Sequence, residues 1–129
     1  MPKRLLEIAA LLVLGLLLSA CFGSGPASTV KKFHRLIEDG QIEESMRLIS
    51  RQSLSNMGED KVRSVLRMGT EQINDRGGIA KLRIESEEIT GEVAQVSVFM
   101  EYGNGETEFN DIELALEDGD WKIILGTAK

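Results

Sequence analysis

The hydrophobic positions of this chain follow two periods. In the first half they recur every three or four residues: Val30, Phe33, His34 and Ile37 fall at i, i+3, i+4 and i+7, which predicts a helix with one dry face. Ser28 or Thr29 is placed to cap its start. Asp39-Gly40 is placed to stop it, since glycine takes the left-handed conformation after a helix without steric cost. A second short helix is predicted over about 41–50, with Ile42, Met46 and Ile49 on its buried side, and a third over about 59–75, aligning Val62, Val65, Leu66, Gly69 and Ile73 in one stripe.

At Arg76-Gly77-Gly78 the period changes to two. Leu82 and Ile84 alternate with charged neighbours; then Ala94, Val96, Val98, Met100 and Tyr102 alternate with Val93, Gln95, Ser97, Phe99 and Glu101, as strands require. Gly103-Asn104-Gly105 and Asp118-Gly119 are tight-turn sequences that join strands as hairpins, so further strands are predicted over about 106–117 and 121–125. The order implies an α+β fold: three N-terminal helices packed on a curved antiparallel sheet of about four strands.

Upstream of this pattern, Lys3 and Arg4 precede a run from Ile8 to Leu18 that is apolar except for Gly15. A basic start, a short apolar stretch and small residues make a secretory signal; roughly 20 apolar residues would be needed to span a bilayer. Its end, Leu18-Ser19-Ala20-Cys21, resembles the lipobox of bacterial lipoproteins. That resemblance implies cleavage between Ala20 and Cys21 and a diacylglyceryl group on the Cys21 thiol, with acylation, commonly by palmitate, completing the anchor. Two or more acyl chains hold durably where one holds marginally. Cys21 is the chain's one cysteine, so lipidation leaves no thiol for a disulfide, a metal or catalysis. Phe22 is not the aspartate that favours retention in the inner membrane, so an outer-membrane anchor facing the periplasm is expected. The layout is then a signal peptide over 1–20, a lipidated cysteine and flexible tether over 21–28, and one domain over 29–129.

Removal of the signal leaves 109 residues, enough for one core. Charge is uneven: residues 26–79 hold nine Lys/Arg against eight Asp/Glu, and residues 80–129 hold four against twelve. An acidic balance argues against nucleic acid and against electrostatic docking on anionic lipid.

The succession of lipobox, short linker, a helix ending in Asp-Gly, a second helix, the stretch DRGGIAKLRI and the closing DGDWKIIL resembles small bacterial lipoproteins of unknown function with a nuclear-transport-factor-2-like domain. The resemblance implies a cone in which a curved sheet wraps a long helix and leaves a pocket at the wide end. Some such proteins are isomerases or dehydratases using a pocket Asp or His; many others only bind or dimerise, so fold does not decide function.

Two residues are candidate catalysts. His34 is the only histidine and sits on an apolar helix face. Asp111 shares a strand face with Phe109, Glu113 and Ala115, and a carboxylate inside an apolar cone would act as a proton-transfer base. The opposite face, Ile112, Leu114 and Leu116, reads as the core side. Glu101, Glu106, Glu108, Asp111, Glu113, Glu117, Asp118 and Asp120 crowd two hairpins without a calcium-loop spacing and read as a solvated, edge-protecting surface. Trp121 reads as core, and Met46, Met57, Met68 and Met100 as packing. No metal or cofactor is expected. The expected function is non-enzymatic binding of a partner protein or a small apolar ligand. The alternatives are a pocket isomerase or dehydratase using His34 or Asp111, and a structural homodimer closed sheet to sheet.

Overall fold

The computed structural model describes residues 25–126. Four helices, α1 (Pro26–Glu38), α2 (Ile42–Met46), α3 (Arg51–Met57) and α4 (Glu59–Asp75), precede four strands, β1 (Ile79–Thr90), β2 (Val93–Tyr102), β3 (Thr107–Glu117) and β4 (Asp120–Ile123). The strands form one antiparallel sheet in the order β1-β2-β3-β4, and the α+β layering is that of a nuclear-transport-factor-2-like cone. Cys21 and the Ala20–Cys21 cleavage point lie outside the described residues.

Helix α1 begins earlier than its polar start indicates. Gly25 precedes it and Pro26 occupies the first turn, where a missing N–H costs nothing and the fixed φ suits the helix. The tether expected to reach Ser28 therefore gives way to helix at Pro26, and Ser28 and Thr29 lie inside the helix rather than at its cap. Its end is as expected. Gly40 has φ 72°, its N–H donates to the Ile37 carbonyl and the Gln41 N–H to the Leu36 carbonyl, which satisfies two otherwise orphaned acceptors.

The helix expected over 41–50 stops at Met46. Ile49 instead forms a parallel bridge to Ile123: the Ser50 N–H donates to the Ile123 carbonyl at 2.8 Å and the Ile123 N–H to the Leu48 carbonyl at 2.7 Å. Ser50 then caps α3 by accepting from the Ser53 N–H, and Gly58, at φ 85°, separates α3 from α4.

Val30, Phe33 and Ile37 bury α1 against β1, β2 and β4 on one side and α4 on the other. The helix enclosed by the sheet is thus α1, while the longer α4 packs on α1, α2 and α3. Gly69 of α4 permits this approach, because a Cβ there would stand 3.4 Å from the Ile37 side chain. In the expected α4 stripe Val62, Leu66 and Ile73 are buried, whereas Val65 is exposed.

In β2 the residues Ala94, Val96, Val98, Met100 and Tyr102 all face the core. Register shifts at Ile79/Lys81 and Ile84/Ser86 bend β1, whereas the β2–β3 pairing runs unbroken from Val93↔Ala115 to Glu101↔Thr107. The β2–β3 turn docks on the α4–β1 turn: Gly103 N–H donates to the Gly78 carbonyl and Asn104 N–H to the Arg76 carbonyl. Gly77 and Gly103 touch through bare backbone, since a Cβ on Gly103 would fall 2.3 Å from the Gly77 oxygen. Trp121 is partly buried and packs on the core, opposite Leu116.

Candidate functional site: the concave side of the sheet

Helix α1 carries His34 one turn after Val30, and this spacing sets the imidazole. Its Nδ1 lies 2.8 Å from the Val30 carbonyl oxygen, which only accepts, so Nδ1 bears the proton and Nε2 keeps its lone pair. Burial lowers the pKa of His34 below its ordinary 6.5, outweighing the opposing effects of the Val30 bond and the Glu108 charge. The ring is therefore a neutral base near pH 7, held edge-on to Phe33 at 5.8 Å between centroids.

Two small clefts meet at His34 and Asn110. One, of about 250 Å³, is lined by Phe33, Ile112, Ile123 and Leu125 together with Asp111 and Glu113. It exists because the chain leaves the sheet after β4. The Ile124 N–H still donates to the Glu113 carbonyl, but the Leu125 N–H turns to the Ser53 hydroxyl, leaving a wedge beside β3. The other cleft, of about 190 Å³, is lined by Gln72, Arg76, Met100, Tyr102 and Glu108. Both fall below the roughly 300–1,000 Å³ of common small-molecule sites.

The second cleft ends in a polar knot that the sequence reading missed. The Tyr102 hydroxyl donates to Glu108 Oε2 at 2.6 Å, Arg76 lies 3.9 Å from the same carboxylate and 3.4 Å from Glu106, and its guanidinium sits 4.9 Å from the centre of the Tyr102 ring. Burial first, then the Glu108 bond and charge, push the Tyr102 phenol up to about 12.

His34 and Asp111 both line the first cleft, but no hydrogen bond joins them. Asp111 lies on the outer face, exposed, where it accepts from the Ser97 hydroxyl at 2.5 Å. Ile112 and Leu114 hold the core side of β3. Glu108, grouped in sequence with the solvated acids, is the carboxylate turned toward the concave side; the signal was its even spacing from Ile112 and Leu114. Among the described residues, no group of three or more His, Cys, Asp or Glu could hold a metal ion. None of the described helices is long and apolar enough to cross a membrane.

Comparison with known proteins agrees with this architecture. A Campylobacter jejuni protein provisionally designated an NTF2-like transpeptidase has a solved structure that superposes with a TM-score of 0.71 at 21% identity, covering 80% of this chain and 100% of its own. That likeness establishes the shared fold. No curated protein matches the sequence. The family described as "Domain of unknown function (DUF4878)" matches residues 19–124, and the chain belongs to that family.

Proposed function

We propose that this chain is a lipid-anchored protein of the bacterial envelope, held in the outer membrane and facing the periplasm, whose concave side binds a partner without turning it over. The anchor reading rests on Leu18-Ser19-Ala20-Cys21 behind its apolar run. Pro26 starts α1 five positions after Cys21, so the body would stand at most about 18 Å from the lipidated residue. The first turn of α1 meets β1, where the Ala27 N–H donates to Glu87, while His34 and the clefts lie toward its other end.

The observation that supports the non-catalytic reading is the small size of the two clefts that meet at His34, about 250 and 190 Å³. His34 is oriented by a backbone carbonyl inside the cone, Asp111 is held by Ser97 outside it, and Glu108 is engaged by Tyr102 and Arg76. Two experiments test the proposal. Cys21→Ser should release the protein from membranes, and unchanged membrane association would overturn the anchor. Incubation of the purified domain with envelope extract, followed by mass spectrometry, should find species retained in proportion to protein; consumption far beyond that proportion, absent in His34→Gln, would overturn the binding reading.

A further inference from the structure

The two edges of the sheet differ in how they are finished. Edge strand β1 carries two register shifts and the cations Lys81 and Arg83, and its Glu87 is bonded to the start of α1. Such bulges and charges discourage further pairing. Strand β3 has neither bulge nor lysine nor proline, yet β4 pairs with it only at 114–117. The Glu113 carbonyl accepts from the Ile124 N–H, so odd residues of β3 direct their backbone groups toward β4. At Asp111 and Phe109 no described strand pairs on that side, and the cleft with Phe33, His34 and Ile112 begins at Asp111.

We infer that the open edge of β3, from Thr107 to Asp111, receives an extended basic segment of a partner protein, which adds to the sheet as a strand in the place β4 vacates. The inference rests on the binding reading above and names the partner's chemistry. Backbone N–H and C=O groups of Phe109 and Asp111 pair with the incoming strand. Its alternate side chains divide between the two faces. Inward ones are apolar and fill the wedge against Ile112 and Phe33. Outward ones lie beside Phe109, 70% exposed and tilted against Phe99 with ring centroids 5.0 Å apart, and beside Asp111 and Glu113. Those two carboxylates make no ion pair among the described residues, whereas Glu117 and Asp118, further along, are paired with Arg51. Cationic residues on the outward face complement the former pair across the strands. A second copy of the chain, whose β3 edge carries the same acids, would not.

A capped heptapeptide of alternating valine and lysine is a suitable probe, read by amide hydrogen exchange and NMR titration. In the free protein the amides of Phe109 and Asp111 should exchange fast and those of Asn110 and Ile112, bonded to β2, slowly. Saturating peptide should slow Phe109 and Asp111 by about tenfold or more, and raising salt from about 50 to 500 mM should weaken binding several-fold. Asp111→Pro removes the edge donor without touching the β2 ladder and should abolish binding, whereas Asp111→Asn should only weaken it. Should the proline variant fail to fold, the exchange data on the unaltered protein decide. Slow exchange at Phe109 and Asp111 without peptide would overturn the inference, because a second copy or the chain's own residues after Gly126 would then hold the edge. So would peptide binding that leaves those two amides unchanged, or no binding. Protection of the edge together with His34-dependent consumption of an envelope species would keep this inference and remove only the non-catalytic reading.

Discussion

Strand β3 presents two faces that differ more in fate than in composition. Inward, Glu108, Asn110, Ile112 and Leu114 run from a polar knot into the core; outward, Phe109, Asp111, Glu113 and Ala115 run along the surface. Each face has acids and apolar residues. What separates them is what stands opposite: α1 and Tyr102 on one side, solvent and Ser97 on the other. The comparison teaches that a carboxylate's chemistry comes from the layer it faces, since Glu108 adds to the effect of burial in raising the pKa of a phenol while Asp111 accepts from the Ser97 hydroxyl.

Substitutions on the two faces should therefore separate sharply. The largest effect belongs to Leu114→Ala, which empties a site with 0% exposure and should cost about 2–5 kcal/mol in urea unfolding. Phe109→Ala, one face over, should stay within about 0.5 kcal/mol. Equal costs would show that the outer face is covered in the folded protein.

Next comes Glu108→Gln. Removing the charge that Tyr102 donates to should cost about 1 kcal/mol, and should move the phenol down from about 12 toward its ordinary 10 in an ultraviolet titration. Because the folded value is raised, the stabilisation from Tyr102 is full below pH 10 and is lost as pH rises through about 12. An unchanged titration would place the cause wholly in burial.

His34 gives the opposite sign. Its folded pKa lies below 6.5, so between the two values the unfolded chain binds more protons. Stability should be full above pH 6.5 and decline as pH falls below it. His34→Gln should flatten that acid-side slope; an identical slope in the variant would assign it to carboxylates. The smallest effect is that of Asp111→Asn, within about 0.5 kcal/mol of the parent at pH 7 in the absence of any peptide.

The strands were legible because period two is a local signal: Ala94 to Tyr102 alternate in sequence as they do in burial, and Asp118-Gly119 turns with both φ values positive, 51° and 84°. Helix α4 ran where its stripe placed it, from Glu59 to Asp75. The failures lie where a distant partner overrides a local pattern. Ile42, Met46 and Ile49 are spaced like a helix face, yet Ile49 is captured by Ile123, which no window around residue 49 contains. Pro26 and Gly25 read as tether composition, although proline at a first turn is equally a helix start. Of the site, His34 was visible as the lone histidine. Glu108 was hidden among eight acids whose facing residues only the sheet register reveals.

The bare-backbone contact between Gly77 and Gly103 has a wider reach. It joins two chain reversals through backbone, with Arg76 on one arm and Tyr102 beside the other, so the polar end of the concave side is tied to the tail of α4. A methyl group at residue 103 would pry that joint apart, and the loss would be felt first in the orientation of Tyr102 toward Glu108, not in the distant wedge beside Ile124.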